Sequence, residues 1–276
     1  MGNTDNKLFT YLTIVFFLLF FGLLGYWVYV NFLAYNEDLA YVFTSVYCTI
    51  AFVGGILGLK SAKYWGGSSS KIGKALLFLS FGLIFQFAFQ ISYSIYYFVL
   101  GIENPYPSVG DIFYVLGNLT FLLGIIKLYT VLFQQNTASY NVRLLGFLIS
   151  VGLVITYITL YIKYVYSPEV FQIDSTKAII VFLIDAITVT INTAMFYLIA
   201  NSFVISLKYM GGILRGPVLI LLTSVLLFYV ADIEYTISDG LGNWKPAGID
   251  DFLLFMAYTA VGIGIIKFKK AYDKLV

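Results

Sequence analysis

Long apolar runs separated by short polar breaks recur along the whole chain. A bilayer core of ~30 Å is crossed by about 20 residues of apolar helix. Eight runs reach that length and predict helices over 8–34, 39–60, 75–100, 110–133, 143–166, 176–207, 217–238 and 249–269. The breaks between them, such as "NED" at 36–38, "GGSSSK" at 66–71, "IENPYPS" at 102–108 and "DGLGNWKPAG" at 239–248, are too short to form domains. The first run, Leu8 to Phe32, is longer than the apolar region of a signal peptide and lacks a small-residue cleavage site, so it is expected to stay as a membrane helix. The opening "MGNTDN" lacks the Ser or Thr at position 6 that a myristoylation signal carries.

The pattern also repeats on a larger scale. "SVGDIFYVLGNLTFLLGIIK" at 108–127 and "GIDDFLLFMAYTAVGIGIIK" at 248–267 share Asp111/Asp251, Gly124/Gly264, Ile125/Ile265, Ile126/Ile266 and Lys127/Lys267 at a shift of 140. "KYWGG" at 63–67 answers "KYMGG" at 208–212, and "QISYSI" at 90–95 answers "DIEYTI" at 232–237. The matches keep their order and fall on equivalent helices. The expected fold is therefore an all-α polytopic membrane protein of eight transmembrane helices. Two four-helix repeats, 1–135 and 136–276, form one integral membrane domain. An even number of helices per repeat makes the two parallel, related by an axis along the membrane normal.

Composition points the same way. The chain is 61% hydrophobic and 11% charged, whereas a soluble domain carries about 25% charge; the expected solvent is lipid. Histidine is absent, which removes bis-histidine haem, histidine-ligated metals and nucleophile–histidine catalysis. Cys48 is the single cysteine and excludes an internal disulfide. The net charge of +2 gives no reason to expect nucleic acid as a partner. No cofactor is expected.

Charge asymmetry orients the chain. Lys60, Lys63, Lys71, Lys74, Lys127, Arg143, Lys208, Arg215, Lys267, Lys269 and Lys270 fall at one set of helix ends, with Lys7 and Lys274 at the termini. The other ends hold Lys163, Lys177 and Lys245 against Glu37, Asp38, Glu103, Asp111, Glu169, Asp174, Asp239, Asp250 and Asp251. The positive-inside rule places both termini in the cytoplasm of a plasma membrane.

Asp185, Asp232 and Glu234 lie inside predicted spans. Ionised carboxylates there cost a few kcal/mol and should face protein or water. Asp232, Tyr235 and Asp239 are spaced to share one helix face. Their counterparts in the first half are Gln90, Tyr93 and Tyr97, with Gln86 one turn earlier. Matched polar positions across an axis could line an outward-opening pocket for a cation, an amine or a proton. The candidate pocket comprises Asp185, Asp232, Tyr235, Gln90, Tyr93, Asp111 and Asp251. The competing reading is structural. Gln86, Gln90, Asn118, Asn192 and Asn201 suit interhelical hydrogen bonding, and Asp232 could pair with Lys163 or Lys177. Asp111 and Asp251 suit helix starts, with Ser108 as N-cap in the first half. Tyrosines at 93–98 and 159–166 read as interfacial belts, and Trp244 as a loop-packing residue.

The segment "NPYPSVGDIFYVLG" at 104–117 resembles the P-x-P-S-x-x-D-x-x-Y-L pattern of multi-helix membrane sensor regions. Such regions precede histidine-kinase, PAS or diguanylate-cyclase domains in prokaryotic signalling proteins. Pro105, Pro107, Ser108, Asp111, Tyr114 and Leu116 carry the match. No kinase or cyclase segment follows Lys274, so the resemblance implies a module that signals through a cytoplasmic protein or through its own oligomer. The alternative is a small-solute or cation transporter or channel built from parallel repeats, although the spans lack the prolines of broken helices. An intramembrane aspartyl protease is disfavoured, because "YVAD" at 229–232 is not G-x-G-D and Asp232 aligns with Gln90. No enzyme activity is expected.

Overall fold

The computed structural model describes residues 3–102, 106–134, 140–164, 176–209 and 212–275. These residues are helical and form no strand. The helices are α1 (Asn3–Val28), α2 (Glu37–Val46), α3 (Thr49–Tyr64), α4 (Lys71–Leu100), α5 (Val109–Gln134), α6 (Tyr140–Tyr164), α7 (Thr176–Tyr209), α8 (Arg215–Gly240) and α9 (Ile249–Asp273). Taken with α2 and α3 as one span, eight helices are long and apolar enough to cross a membrane. The loop at 167–175, Glu103 and Pro105, and the side chains of Lys177, Lys208 and Tyr209 lie outside the described residues.

Most helices outrun the apolar stretches that predicted them. Ser70 caps α4, accepting from the Gly73 amide at 2.9 Å, so the helix starts at Lys71 rather than 75. Gly101, at φ 62°, closes its far end. Asn36 caps α2 by accepting from the Leu39 amide at 3.2 Å. The second span was expected to be one helix but turns at Tyr47 and Cys48. There the Cys48 thiol and Thr49 hydroxyl bond the carbonyls of Ser45 and Val46 at 3.2 and 2.8 Å. Such back-bonding competes with the helix ladder.

After Val28 the chain makes one π-helical turn, Tyr29–Leu33. That extra residue lets Trp27 Nε1 and Asn31 Nδ2 both donate to the Ala247 carbonyl, at 3.0 and 3.2 Å. Ala247 is fully buried with φ 55°, a left-handed conformation held from several sides. Its amide lies 2.9 Å from Thr44 Oγ1 and 2.8 Å from Asp251 Oδ2.

The centre of the bundle is built by α3, α4, α5, α8 and α9, with α7 against α5. Phe43, Tyr47, Leu57, Leu79, Phe121, Phe255, Tyr258 and Ile265 are buried there. By contrast, α1 and α6 present Leu18, Phe21, Ile155 and Ile162 outward, each more than half exposed, as lipid-facing helices do. Within 1–134 and within 140–275 neighbouring spans pack side by side, α5 and α6 do not, and the pairs α3 on α9 and α5 on α7 join the two parts.

Candidate functional site

Asp232 lies eight residues from the end of α8, ~12 Å along the helix at 1.5 Å per residue. Tyr114 of α5 donates its hydroxyl to Asp232 Oδ1 at 3.3 Å. Asn192 of α7 aims Nδ2 at Asp232 Oδ2, 3.4 Å away, and at the Tyr157 hydroxyl of α6, 3.1 Å away. The Tyr157 hydroxyl lies beside the carboxylate. One acid is thus contacted by neutral side chains of α5 and α7, and Asn192 ties Tyr157 of α6 into the same group. The two measured approaches are long for a charge-assisted bond, which runs at about 2.5–2.9 Å. Lysine was the expected partner of Asp232 in the structural reading. A hydroxyl and an amide serve instead, because the aromatic helices around α8 bring their tyrosine tips inward.

Polar groups continue from this site into the core. The Tyr114 hydroxyl is flanked by Asn118 as well as Asn192. Asn118 Oδ1 accepts from Gln86 Nε2 at 2.9 Å, and Gln86 Oε1 accepts from the Tyr258 hydroxyl at 3.3 Å. Tyr258 stacks on Tyr47, which reaches Asp251. A line of amides and phenols therefore runs from Asp232 in α8 through α5 and α4 to Tyr258 in α9, and by Tyr47, in the turn between α2 and α3, to the neighbourhood of Asp251. Asn118 Nδ2 and Asn192 Oδ1 are buried and without a partner.

Asp185 sits nearer the acid-rich end. Tyr106, from the 101–108 loop, donates its hydroxyl to Asp185 Oδ1, and Tyr161 lies beside the same carboxylate. Burial, together with the neighbouring carboxylate, pushes the Tyr106 phenol well above its usual range, so it remains the donor. Asp185, Thr188 and Asn192 follow one face of α7 at spacings of three and four. Tyr161 and Tyr157, one turn apart on α6, lie beside Asp185 and Asp232 in turn. The two acids occupy successive layers of one polar ladder rather than a shared pocket.

Asp111 and Asp251 tie down helix starts. Asp111 Oδ2 accepts from the Ser108 amide and hydroxyl at 2.6 and 2.9 Å, and Oδ1 accepts from the Tyr93 hydroxyl at 3.0 Å. Asp251 Oδ2 accepts from Thr44 at 2.6 Å as well as from the Ala247 amide. Gln90 donates to the Thr44 carbonyl at 2.8 Å and so joins the Asp251 group, not the Asp232 group. Tyr235, 46% exposed, and Asp239 turn away from the bundle, so the stripe shared with Asp232 does not continue inward. Glu234 is partly buried, with Oε2 enclosed and unpartnered and Asp250 nearby. Trp244 donates to Asp250 Oδ2 at 2.9 Å, the loop-packing role expected of it.

The interhelical amide bonds expected of Gln86, Gln90, Asn118, Asn192 and Asn201 are all made; Asn201 Nδ2 reaches Ser150 Oγ of α6 at 2.8 Å. Of the tyrosines read as interfacial belts, Tyr93 bonds Asp111 and Tyr97 stacks on Tyr41 at 3.9 Å, so both also contact neighbouring helices, while Tyr166 and the side chain of Tyr164 lie outside the described residues. Tyr114, Tyr157, Tyr258, Tyr47 and Thr44 were not anticipated as site residues. The signal available for them was spacing: Tyr114 with Asn118 and Tyr157 with Tyr161 lie four apart on one face. A groove of about 340 Å³ lies on α1, lined by Val15, Leu18, Leu19, Gly22 and Leu23, away from every acid of the site. Among the described residues no three His, Cys, Asp or Glu side chains are placed to hold a metal ion. No family model matches the chain, and no curated protein or solved structure matches it.

Proposed function

We propose that the chain is a membrane sensor module, with both termini cytoplasmic, whose sensing group is Asp232 and whose entry is the Asp185 ladder. The observation that carries this reading is the origin of the Asp232 contacts: α5 and α7 each supply a partner, Asn192 carries the contact on to Tyr157 of α6, and α8 supplies the acid. A change of charge or ligand at this one carboxyl changes the bonding between four helices at once, which is the coupling a sensor needs. The acids lie toward the Lys-poor end, and the positive-inside rule makes that end the exterior. The Lys-rich end, where the partner would dock, carries exposed Lys7, Lys63, Lys267, Lys270 and Lys274.

We also read the bundle as two four-helix repeats, 1–135 and 136–276. Exchange of the halves maps the pairing of α3 on α9 onto that of α7 on α5. It also maps one close approach onto another. A Cβ added at Gly124 would lie 2.9 Å from Leu79 Cγ, and one at Gly264 would lie 2.6 Å from Leu221 Cδ2. Each glycine of the repeated "GIIK" thus admits the equivalent leucine of the preceding helix.

A second reading, a transporter of a small solute or cation, is favoured by the polar line from Asp232 to Asp251 across the core. Co-purification from the native membrane, with reconstitution in vesicles, separates the two. The sensor reading expects a cytoplasmic partner whose recovery changes in Asp232→Asn, and no flux. Flux that requires Asp232, with no partner recovered, contradicts it and carries the second.

A further inference from the structure

We infer that the ligand of the Asp232 site is the proton, and that the protonated acid closes a cyclic pair with the Asn192 amide. The inference rests on the reading of Asp232 as the sensing group and names what it senses.

The amide of Asn192 is 3% exposed. Its Nδ2 already faces Asp232 Oδ2, and its Oδ1 has no donor. An unsatisfied buried carbonyl costs on the order of 1–3 kcal/mol, so a donor is missing from this spot. The Tyr114 hydroxyl is given to the carboxylate, and the Tyr157 hydroxyl meets the Asn192 Nδ2 rather than its Oδ1. The remaining position for a donor is the acid itself. A carboxylic acid and a primary amide are complementary, each offering one donor and one acceptor. With a proton on Asp232 Oδ1, that O–H donates to Asn192 Oδ1, and Asn192 Nδ2 keeps its place on the acid carbonyl oxygen, Oδ2. Two bonds then join α7 to α8 where the ionised form has one long contact. On release the proton returns to water, no other bond is made or broken, and Asp232 relies on Tyr114 and the single Asn192 contact.

The surroundings suit a proton better than a larger cation. Tyr157, Phe196 and Tyr229 pack on one another beside the acid, with ring centroids 5.2 Å apart for Tyr157–Phe196 and 4.3 Å for Phe196–Tyr229, which leaves aromatic core where a cation would sit. The titratable groups facing Asp232 are Tyr114 from α5 and Tyr157 from α6, with Tyr229 one turn away on α8 and Tyr235 on the outer side of the same helix. On α7, Asp185 lies seven residues from Asn192, ~10 Å along the helix. On α9, Tyr258 packs on Phe228, one turn from Asp232, and Asp250 lies beside Glu234. None of these is a cation.

Infrared difference spectra of the full chain in nanodiscs, recorded between high and low pH, read the proton directly. The expected result is a carboxylic-acid carbonyl band that appears on acidification, is lost in Asp232→Asn and is retained in Asp185→Asn and Asp251→Asn. In Asn192→Leu the band shifts to higher wavenumber, because the acid carbonyl has lost its amide donor; this variant serves if Asp232→Asn fails to fold. Three results overturn the inference: no band that depends on Asp232, a band unmoved by Asn192→Leu, or a band erased at fixed pH by ammonium or sodium. If the band is missing while partner recovery still depends on Asp232, the proton inference falls and the sensor reading stands. If the band titrates and the partner does not respond, the sensor reading falls and the proton site stands.

Discussion

Two residues carry much of what is unusual in this molecule, and each makes a prediction of its own. The first is Tyr114, whose hydroxyl is the link from α5 to Asp232. Tyr114→Phe keeps the ring and removes one buried hydrogen bond, so a loss of about 1 kcal/mol is expected from thermal unfolding in detergent. A change within error would mean that the 3.3 Å contact carries no weight. The second is Ala247, at φ 55° and fully buried. Left-handed backbone costs a non-glycine residue roughly 1–2 kcal/mol, so Ala247→Gly is expected to hold or raise the unfolding midpoint. Ala247→Val, β-branched in the same conformation, is expected to lower stability by about 1–3 kcal/mol. A valine as stable as the alanine would contradict the knot of four bonds around this peptide.

At the scale of the helix, Asp111 and Asp251, each near a helix start, differ in how much they hold. Asp111 bonds Ser108 at its own helix start and Tyr93 of α4, while Asp251 bonds Ala247 and Thr44 of α2 and is reached by Tyr47. Asp111→Ala is expected to cost about 1 kcal/mol, as a lost cap does. Asp251→Ala is expected to cost about twice that or more, because it takes the acceptor from the Thr44 hydroxyl and one of the two acceptors from the buried Ala247 amide. Equal losses, measured by the same unfolding assay, would show that the second acid is only a cap. The spans themselves were open to reading, since ~20 apolar residues between polar breaks have one solution in a bilayer. The turn at Tyr47 and Cys48 was not, because side-chain bonds to the ladder leave no trace in hydropathy. Nor was the inward direction of Tyr93, Tyr157 and Tyr161. A helix that is apolar all round does not announce which face meets protein, and a tyrosine near its end suits either surface. The amides were easier, since an intramembrane Gln or Asn has few places to go except another helix.

Across the whole molecule, the polar ladder of α6 and α7, the Asp232 node and the amide line to Asp251 make a continuous interior, while α1 and α6 turn large apolar residues to lipid. Cys48, the sole thiol, is fully buried, so thiol reagents are expected to leave the folded chain unmodified. Labelling before denaturation would contradict that burial. The same inert background permits single cysteines elsewhere. Spin labels at Val109, where α5 begins, and Leu241, just after α8, occupy exposed positions on two helices that share Asp232. The distance between them in nanodiscs, followed as pH is lowered, tests most directly whether Asp232 switches the arrangement of the bundle. The expected result is a distance that changes with pH in the native sequence and stays fixed in Asp232→Asn; a distance that ignores pH, or that moves equally in both, contradicts it.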